Sequence, residues 1–170
     1  PFSRRRIRWH IIMKKVKFDR FGAMLQCASN AVYTVDAIKK FIDIIAELDY
    51  NTLYMDISTV LTLEDEPYFG YMRGQYTKAE LQEIDAYALS KGIEVIPILQ
   101  TLAHLDPMFR WSKFGAIRDN EGILLVGEDK TYEFIDCMLK TVAETFTSKT
   151  VHLGMDEAFT LGRGQYYDKN

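Results

Sequence analysis

Residues 93–99 read Ile93-Glu94-Val95-Ile96-Pro97-Ile98-Leu99, and this run decides the fold class. A strand with one wet face alternates apolar and polar residues, whereas this one is apolar apart from Glu94. Such continuity is expected of a strand covered on both faces, as in a parallel sheet. Directly upstream is a helical pattern. It opens with Thr77-Lys78-Ala79-Glu80, a T-x-x-E capping box, and continues through Leu81, Ile84 and Ala88. Gly92 ends it, since glycine enters the left-handed conformation that closes a helix at little cost. Downstream, a helix is predicted from about Thr131 to Phe146, with Ile135, Met138 and Val142 on one face.

The same alternation extends in both directions. A first strand is predicted over Phe21 to Cys27, then a helix from Val35 to Asp49. Val35, Ile38, Ile42 and Ile45 recur there at helical spacing, and Thr34 is placed to cap it. A second strand follows over Thr52 to Ile57. A fourth is expected over Thr150 to Leu153, broken by Gly154 and followed by a loop with Gly162 and Gly164. Successive strand–helix units imply a parallel sheet with right-handed crossovers. A G-x-G-x-x-G turn after the first strand would favour a doubly wound nucleotide-binding sheet, and it is absent. Loops of roughly 20 and 30 residues follow the second and third strands. The carboxyl side of the strands is where barrel enzymes build their sites.

Composition narrows the class further. The 170 residues are 48% hydrophobic and 26% charged, as expected of a globular chain with one core. No apolar run approaches the roughly 20 residues that span a bilayer. The net charge of −3 is unevenly spread. Residues 1–19 hold Arg4, Arg5, Arg6, Arg8, Lys14, Lys15 and Lys17 against Asp19 alone. The remainder carries 14 bases and 23 acids, which disfavours nucleic acid as a partner. The domain reading is thus a basic segment, 1–19, and a catalytic domain, 20–170. Trp9, Ile11, Ile12, Val16 and Phe18 interrupt the basic charges, so the head reads as a solvated terminus rather than a binding arm. No secretory signal is visible, and a cytoplasmic location is expected. Cys27 and Cys137 lie in apolar segments and read as reduced core residues.

The chemistry is concentrated in His152-Leu153-Gly154-Met155-Asp156-Glu157. Two adjacent acids just past a buried strand are aimed at the ligand face of a parallel fold. Like charges this close favour one protonated and one ionised carboxyl. An acid beside an ionised partner is what acid-catalysed glycoside cleavage requires. His104, His152 and the two acids are also metal-capable side chains, but their spacing matches no compact ligand motif, so neither a metal nor a cofactor is expected.

H-x-G-x-D-E resembles the signature of glycoside hydrolase family 20, the β-N-acetylhexosaminidases. The resemblance extends over about Arg20 to Tyr167 and includes Glu66 to Leu81 (EPYFGYMRGQYTKAEL) and Ile96 to Leu105 (IPILQTLAHL), which are similar to one bacterial branch. It implies an α/β fold of the (β/α)8 TIM-barrel type, of which this chain supplies about the first four βα units. It also implies a retaining, substrate-assisted reaction. The sugar's own 2-acetamido oxygen attacks the anomeric carbon and forms an oxazolinium intermediate. Glu157 would be the general acid and then the general base. Asp156 would accept the acetamido N–H and stabilise the developing positive charge. Arg20, just before the first strand, would hold sugar hydroxyls, and His104 would orient a catalytic carboxylate. His152 reads as a structural histidine. The groups that grip the acetamide would belong to later barrel strands. The expected partner is an N-acetylhexosaminide. A half-barrel has unpaired sheet edges, so this chain is expected to dimerise or to need the other half of a barrel.

Departures from the family pattern keep a second reading open. Relatives commonly have Leu-Asp-Cys-Ser-Arg-Asn where this chain has Leu25-Gln26-Cys27-Ala28-Ser29-Asn30. Ser58, Thr59 and Leu61 stand where relatives carry acids and tyrosine, and Gln100 replaces a frequent aspartate. The alternatives to a substrate-assisted hexosaminidase are a sugar-binding relative without turnover and a metal-dependent barrel hydrolase. Trp111 and Tyr68 to Tyr71 are either a sugar platform or loop packing.

Overall fold

The computed structural model of the chain describes residues 18–29 and 31–170. The basic segment expected over 1–19 lies outside them apart from Phe18 and Asp19. Three parallel strands, β1 (Gly22–Gln26), β2 (Thr52–Asp56) and β3 (Glu94–Ile98), lie side by side in that order. Gly22 pairs with Thr52, and Thr52 with Glu94, so all three strands start level. The chain returns between them through α1 (Val35–Glu47) and α2 (Lys78–Ser90). After β3 come the single turn α3 (Asp106–Phe109), a 3-10 turn over Ser112–Ile117, α4 (Asp129–Thr145) and the short α5 (Gln165–Lys169).

The sheet is built as a barrel wall and not as a doubly wound sheet. α1 packs on α2 and α2 on α4, all against one face, whereas a doubly wound sheet carries helices on both. Strand residues facing the helices are sealed: Cys27, Leu53, Met55, Ile57 and Val95 are fully buried. They meet Ile38, Ile42 and Ile45 of α1 and Leu81, Ile84 and Ala88 of α2 in one core. Each fully buried aliphatic side chain contributes about 1.5–3 kcal/mol. On the opposite face Met24 of β1 is 59% exposed. Gly22 packs closely on that face, where an added Cβ would lie 3.0 Å from the Tyr54 ring. None of the helices described is long and apolar enough to cross a membrane.

Helix ends follow the sequence signals closely. Thr34 caps α1 by accepting from the Ala37 N–H, and Thr77 with Glu80 forms the full capping box of α2. The Thr77 N–H and hydroxyl hold the Glu80 carboxyl below its usual range. The contribution of this cap is therefore present above the ordinary carboxylate pKa and lost as pH falls through the lowered one.

The two helices terminate in the same motif. Tyr50 and Ile93 donate back to the Ile45 and Ala88 carbonyls, while Asp49 and Gly92 donate to Ala46 and Leu89. The residue between is left-handed in each case, Asp49 at φ 62° and Gly92 at φ 77°. Because glycine adopts this conformation freely and alanine does not, Gly92→Ala should cost about 1 kcal/mol in urea unfolding. Asp49→Gly should cost nothing, and an equal loss in both variants would contradict this account.

Three sequence expectations need correction. α1 stops at Glu47 and not at Asp49, because Asp49 has left the helical region. In α4 the residue turned inward is Phe134, in edge contact with Phe69 and Phe114, while Ile135 lies at the flank. Cys137 is only half-buried; Cys27 alone of the two is sealed, and burial pushes its thiol up to about 11.

Candidate active site

The fourth strand predicted over Thr150 to Leu153 shrinks to one parallel bridge, Ile98 to His152. The cause lies in β3. Pro97 faces this edge with a carbonyl that accepts from the His152 N–H at 2.9 Å, but it has no N–H to give to Thr150. The Ser148 hydroxyl serves both backbone groups of Thr150 instead. Beyond His152 the ladder slips. Leu153, not Gly154, takes the Thr101 N–H, and the Gly154 N–H turns to His152 Nδ1 at 3.1 Å. Gly154 has φ 54°, and a Cβ there would lie 2.2 Å from the Leu99 carbonyl oxygen. Only glycine makes this bend, and the bend throws Met155, Asp156 and Glu157 off the sheet edge.

Asp156 and Glu157 then face His104 together. His104 Nε2 lies 3.7 Å from Asp156 Oδ2 and 3.6 Å from Glu157 Oε2. These separations exceed a direct hydrogen bond, and catalytic contacts often tighten only around substrate. Neighbouring residues of an extended chain point to opposite sides. Both acids turn to one imidazole here because Glu157 is left-handed, at φ 51°. His104 is left-handed too, at φ 58°. Non-glycine residues held in this region mark places where the surrounding structure imposes a geometry, and functional sites are enriched in them. The three side chains bring one nitrogen and two oxygens within 4.8 Å of one another, a set with the chemistry to hold a cation as well as to move a proton. His152 is not in this group.

These residues line an open cavity of about 500 Å³ at the carboxyl ends of the strands. Asp56 and Arg73 line it as well, and so do Gln26, Ala28, Ser29, Ser58, Thr59 and Gln100, six positions that depart from the family pattern. Asp56 was not singled out by its sequence, although it is the last residue of β2. It is 5% exposed, and its Oδ1 accepts from the Ser58 N–H and hydroxyl. Arg73 comes from the long loop after β2, and its guanidinium holds the Ala28 and Ser29 carbonyls.

The structure does not bring Arg20 to the cavity. Its guanidinium donates to Thr150 Oγ1 at 3.3 Å and pairs with Glu94 at 3.5 Å. Glu94 is the first residue of β3 and Thr150 precedes the His152 bridge, so Arg20 sits at the amino end of the sheet. The five residues of β1 separate the two ends, about 16 Å at 3.3 Å per residue. Here it ties the amino ends of three segments together.

A second residue that sequence reasoning passed over fixes the segment after the acids. Asp119, buried in the loop after β3, accepts from the Gly162 N–H at 2.9 Å and the Tyr166 N–H at 2.8 Å. Its signal was faint, because one aspartate in a long loop has no local pattern. Tyr68, Tyr71 and Trp111 form one cluster with ring centres 5.3–6.0 Å apart. Both tyrosines keep more than two-fifths of their surface exposed.

Comparison with known proteins identifies the fold and the family. The chain is 28% identical to a β-hexosaminidase of Vibrio furnissii over 87% of its length. It is 27% identical, over 80%, to a chitooligosaccharidolytic β-N-acetylglucosaminidase of Bombyx mori. It spans 30% and 26% of those relatives. Among solved structures it superposes on the GH20 β-N-acetylhexosaminidase of Streptomyces coelicolor with a TM-score of 0.76 at 26% identity, covering 85% of this chain and 34% of that one. The N-acetyl-β-hexosaminidase of Streptomyces plicatus, in complex with Thio-NAglucal, gives 0.75 at 25% identity, with the same coverage. The wall of strands and helices is thus the first part of a TIM barrel. Residues 19–166 match the catalytic domain of glycosyl hydrolase family 20, and the chain belongs to that family.

Proposed function

We propose that this chain carries the acid–base pair of a retaining exo-β-N-acetylhexosaminidase that removes terminal N-acetylglucosamine or N-acetylgalactosamine. The observation that carries the reading is the convergence of Asp156 and Glu157 on His104 across one cavity at the carboxyl ends of the strands. In this reading the acetamido oxygen of the substrate attacks the anomeric carbon while Glu157 protonates the departing oxygen. The glycosidic bond breaks and an oxazolinium ring forms. Glu157 then takes a proton from water, which opens the ring with retention. Asp156 accepts the acetamido N–H and balances the positive charge. His104 holds the two carboxylates in place. No separate protein nucleophile is needed, so two adjacent acids suffice. The names of the relatives above support the substrate class.

The experiment is turnover of a chromogenic N-acetylhexosaminide by a complete barrel containing these residues, with and without a chelator. Turnover that survives the chelator supports acid–base chemistry; loss with the chelator would favour a metal-dependent hydrolase. Asp156→Asn should weaken a thiazoline inhibitor, which mimics the oxazolinium, by tenfold or more, the scale of a charge-assisted hydrogen bond. Unchanged affinity would remove the role given to Asp156. The second reading, sugar binding without turnover, is favoured by Gln26, Ser29, Ser58 and Thr59 on the cavity wall. Tight thiazoline binding with no turnover would select it.

A further inference from the structure

We infer that Asp56 is a substrate-positioning residue whose free carboxylate oxygen accepts one hydroxyl of the sugar. The inference rests on the cavity being a sugar site. Asp56 ends β2 and is 5% exposed, yet it lines the same cavity as the acid pair. Its two oxygens are treated differently. Oδ1 takes both the N–H of Ser58, at 3.1 Å, and the Ser58 hydroxyl. Oδ2 receives no hydrogen bond among the described residues, and it is not one of the oxygens sealed away from solvent. The carboxylate is therefore locked by one oxygen with the other directed into the cavity.

Nothing nearby neutralises it. Arg73, the cation on the same wall, spends its guanidinium on the Ala28 and Ser29 carbonyls, and no Lys or Arg among the described residues lies within salt-bridge distance of Asp56. Water can satisfy Oδ2 in the free protein, and a ligand hydroxyl that takes the place of that water keeps the hydrogen bond. A sugar hydroxyl is such a donor, while a sulfated or carboxylated sugar would meet like charge.

The test is binding of N-acetylglucosamine and its 3-, 4- and 6-deoxy analogues to the full-length protein, by calorimetry, with turnover measured alongside. Asp56→Asn keeps the shape and the acceptor for the Ser58 N–H. It should bind N-acetylglucosamine about tenfold or more weakly. For one analogue, the one lacking the hydroxyl that Asp56 holds, the variant should show little further loss, while the other two should lose as much as they do with the unsubstituted protein. Ser58→Ala, which loosens the carboxylate without removing it, should shrink the same single penalty and serves if Asp56→Asn does not fold. Equal penalties for all three analogues in each folded variant would overturn the inference. A protein that binds with this pattern but does not cleave would refute hydrolysis and leave Asp56 in its role. A protein that cleaves normally while the variants keep every penalty would do the reverse.

Discussion

Glu157→Gln should cut hydrolysis by on the order of a hundredfold or more on a substrate with a poor leaving group, the usual scale for a lost general acid–base. That factor corresponds to about 2.7 kcal/mol of transition-state stabilisation. The substitution keeps size and hydrogen-bonding reach but removes the proton that the departing oxygen needs. A nitrophenyl aglycone leaves without help, so its first step should suffer less, and the intermediate should accumulate because the second step still lacks its base. The fold should be untouched, since the Glu157 side chain is 60% exposed and packs into no core. Near-normal turnover on the poor leaving group would show that another residue carries the proton. The leaving-group comparison separates lost chemistry from lost binding, which would affect both substrates alike.

Gly154→Ala should be the most damaging small substitution in the chain. The added Cβ would meet the Leu99 carbonyl oxygen at 2.2 Å, and that oxygen belongs to a strand end bonded on both sides. A backbone atom so placed cannot swing away as a side-chain tip can. The left-handed φ adds about 1–2 kcal/mol for any residue with a Cβ. Opening the contact between β3 and the His152 segment adds a further cost of the order of overpacking, about 1–3 kcal/mol. Together these approach a large part of an ordinary domain's 5–15 kcal/mol. Soluble yield and the denaturation midpoint should both fall. Any protein that still folds should be slow as well, because a displacement near 1 Å of the reacting groups can cost a hundredfold. An unchanged midpoint would mean that the bend is soft and that the acids are positioned by something else. Asp119, which clamps Gly162 and Tyr166 from the other side, would then be the residue to vary.

The architecture was legible along the chain because local signals and tertiary demands agree. Continuous apolarity in Ile93–Leu99, helical spacing in Ile38, Ile42 and Ile45, the capping box at Thr77 and the stop at Gly92 are each short-range patterns. Each has a counterpart in the structure at nearly the expected place. The acids were legible for a related reason, since their identity and spacing after a strand and a glycine are properties of one short stretch. The sheet's closure sense was not, because helices on one face or two satisfy the same alternation of strand and helix.

Tertiary structure alone decided what depends on partners far apart in the chain. The fourth strand's pattern promised a full ladder, but Pro97, some fifty residues earlier, withholds the N–H that Thr150 would need. Arg20 is a site residue by the family resemblance, yet five strand residues hold it at the far end of the sheet beside Glu94. Asp56 is one acid among 24 until the fold buries it, pins one oxygen on Ser58 and opens the other to the cavity. His104, Asp156 and Glu157 meet only because two of the three accept left-handed backbones. Periodicity and caps are written in neighbours a turn apart. A site is written in distances between segments, and those exist only once the chain has folded.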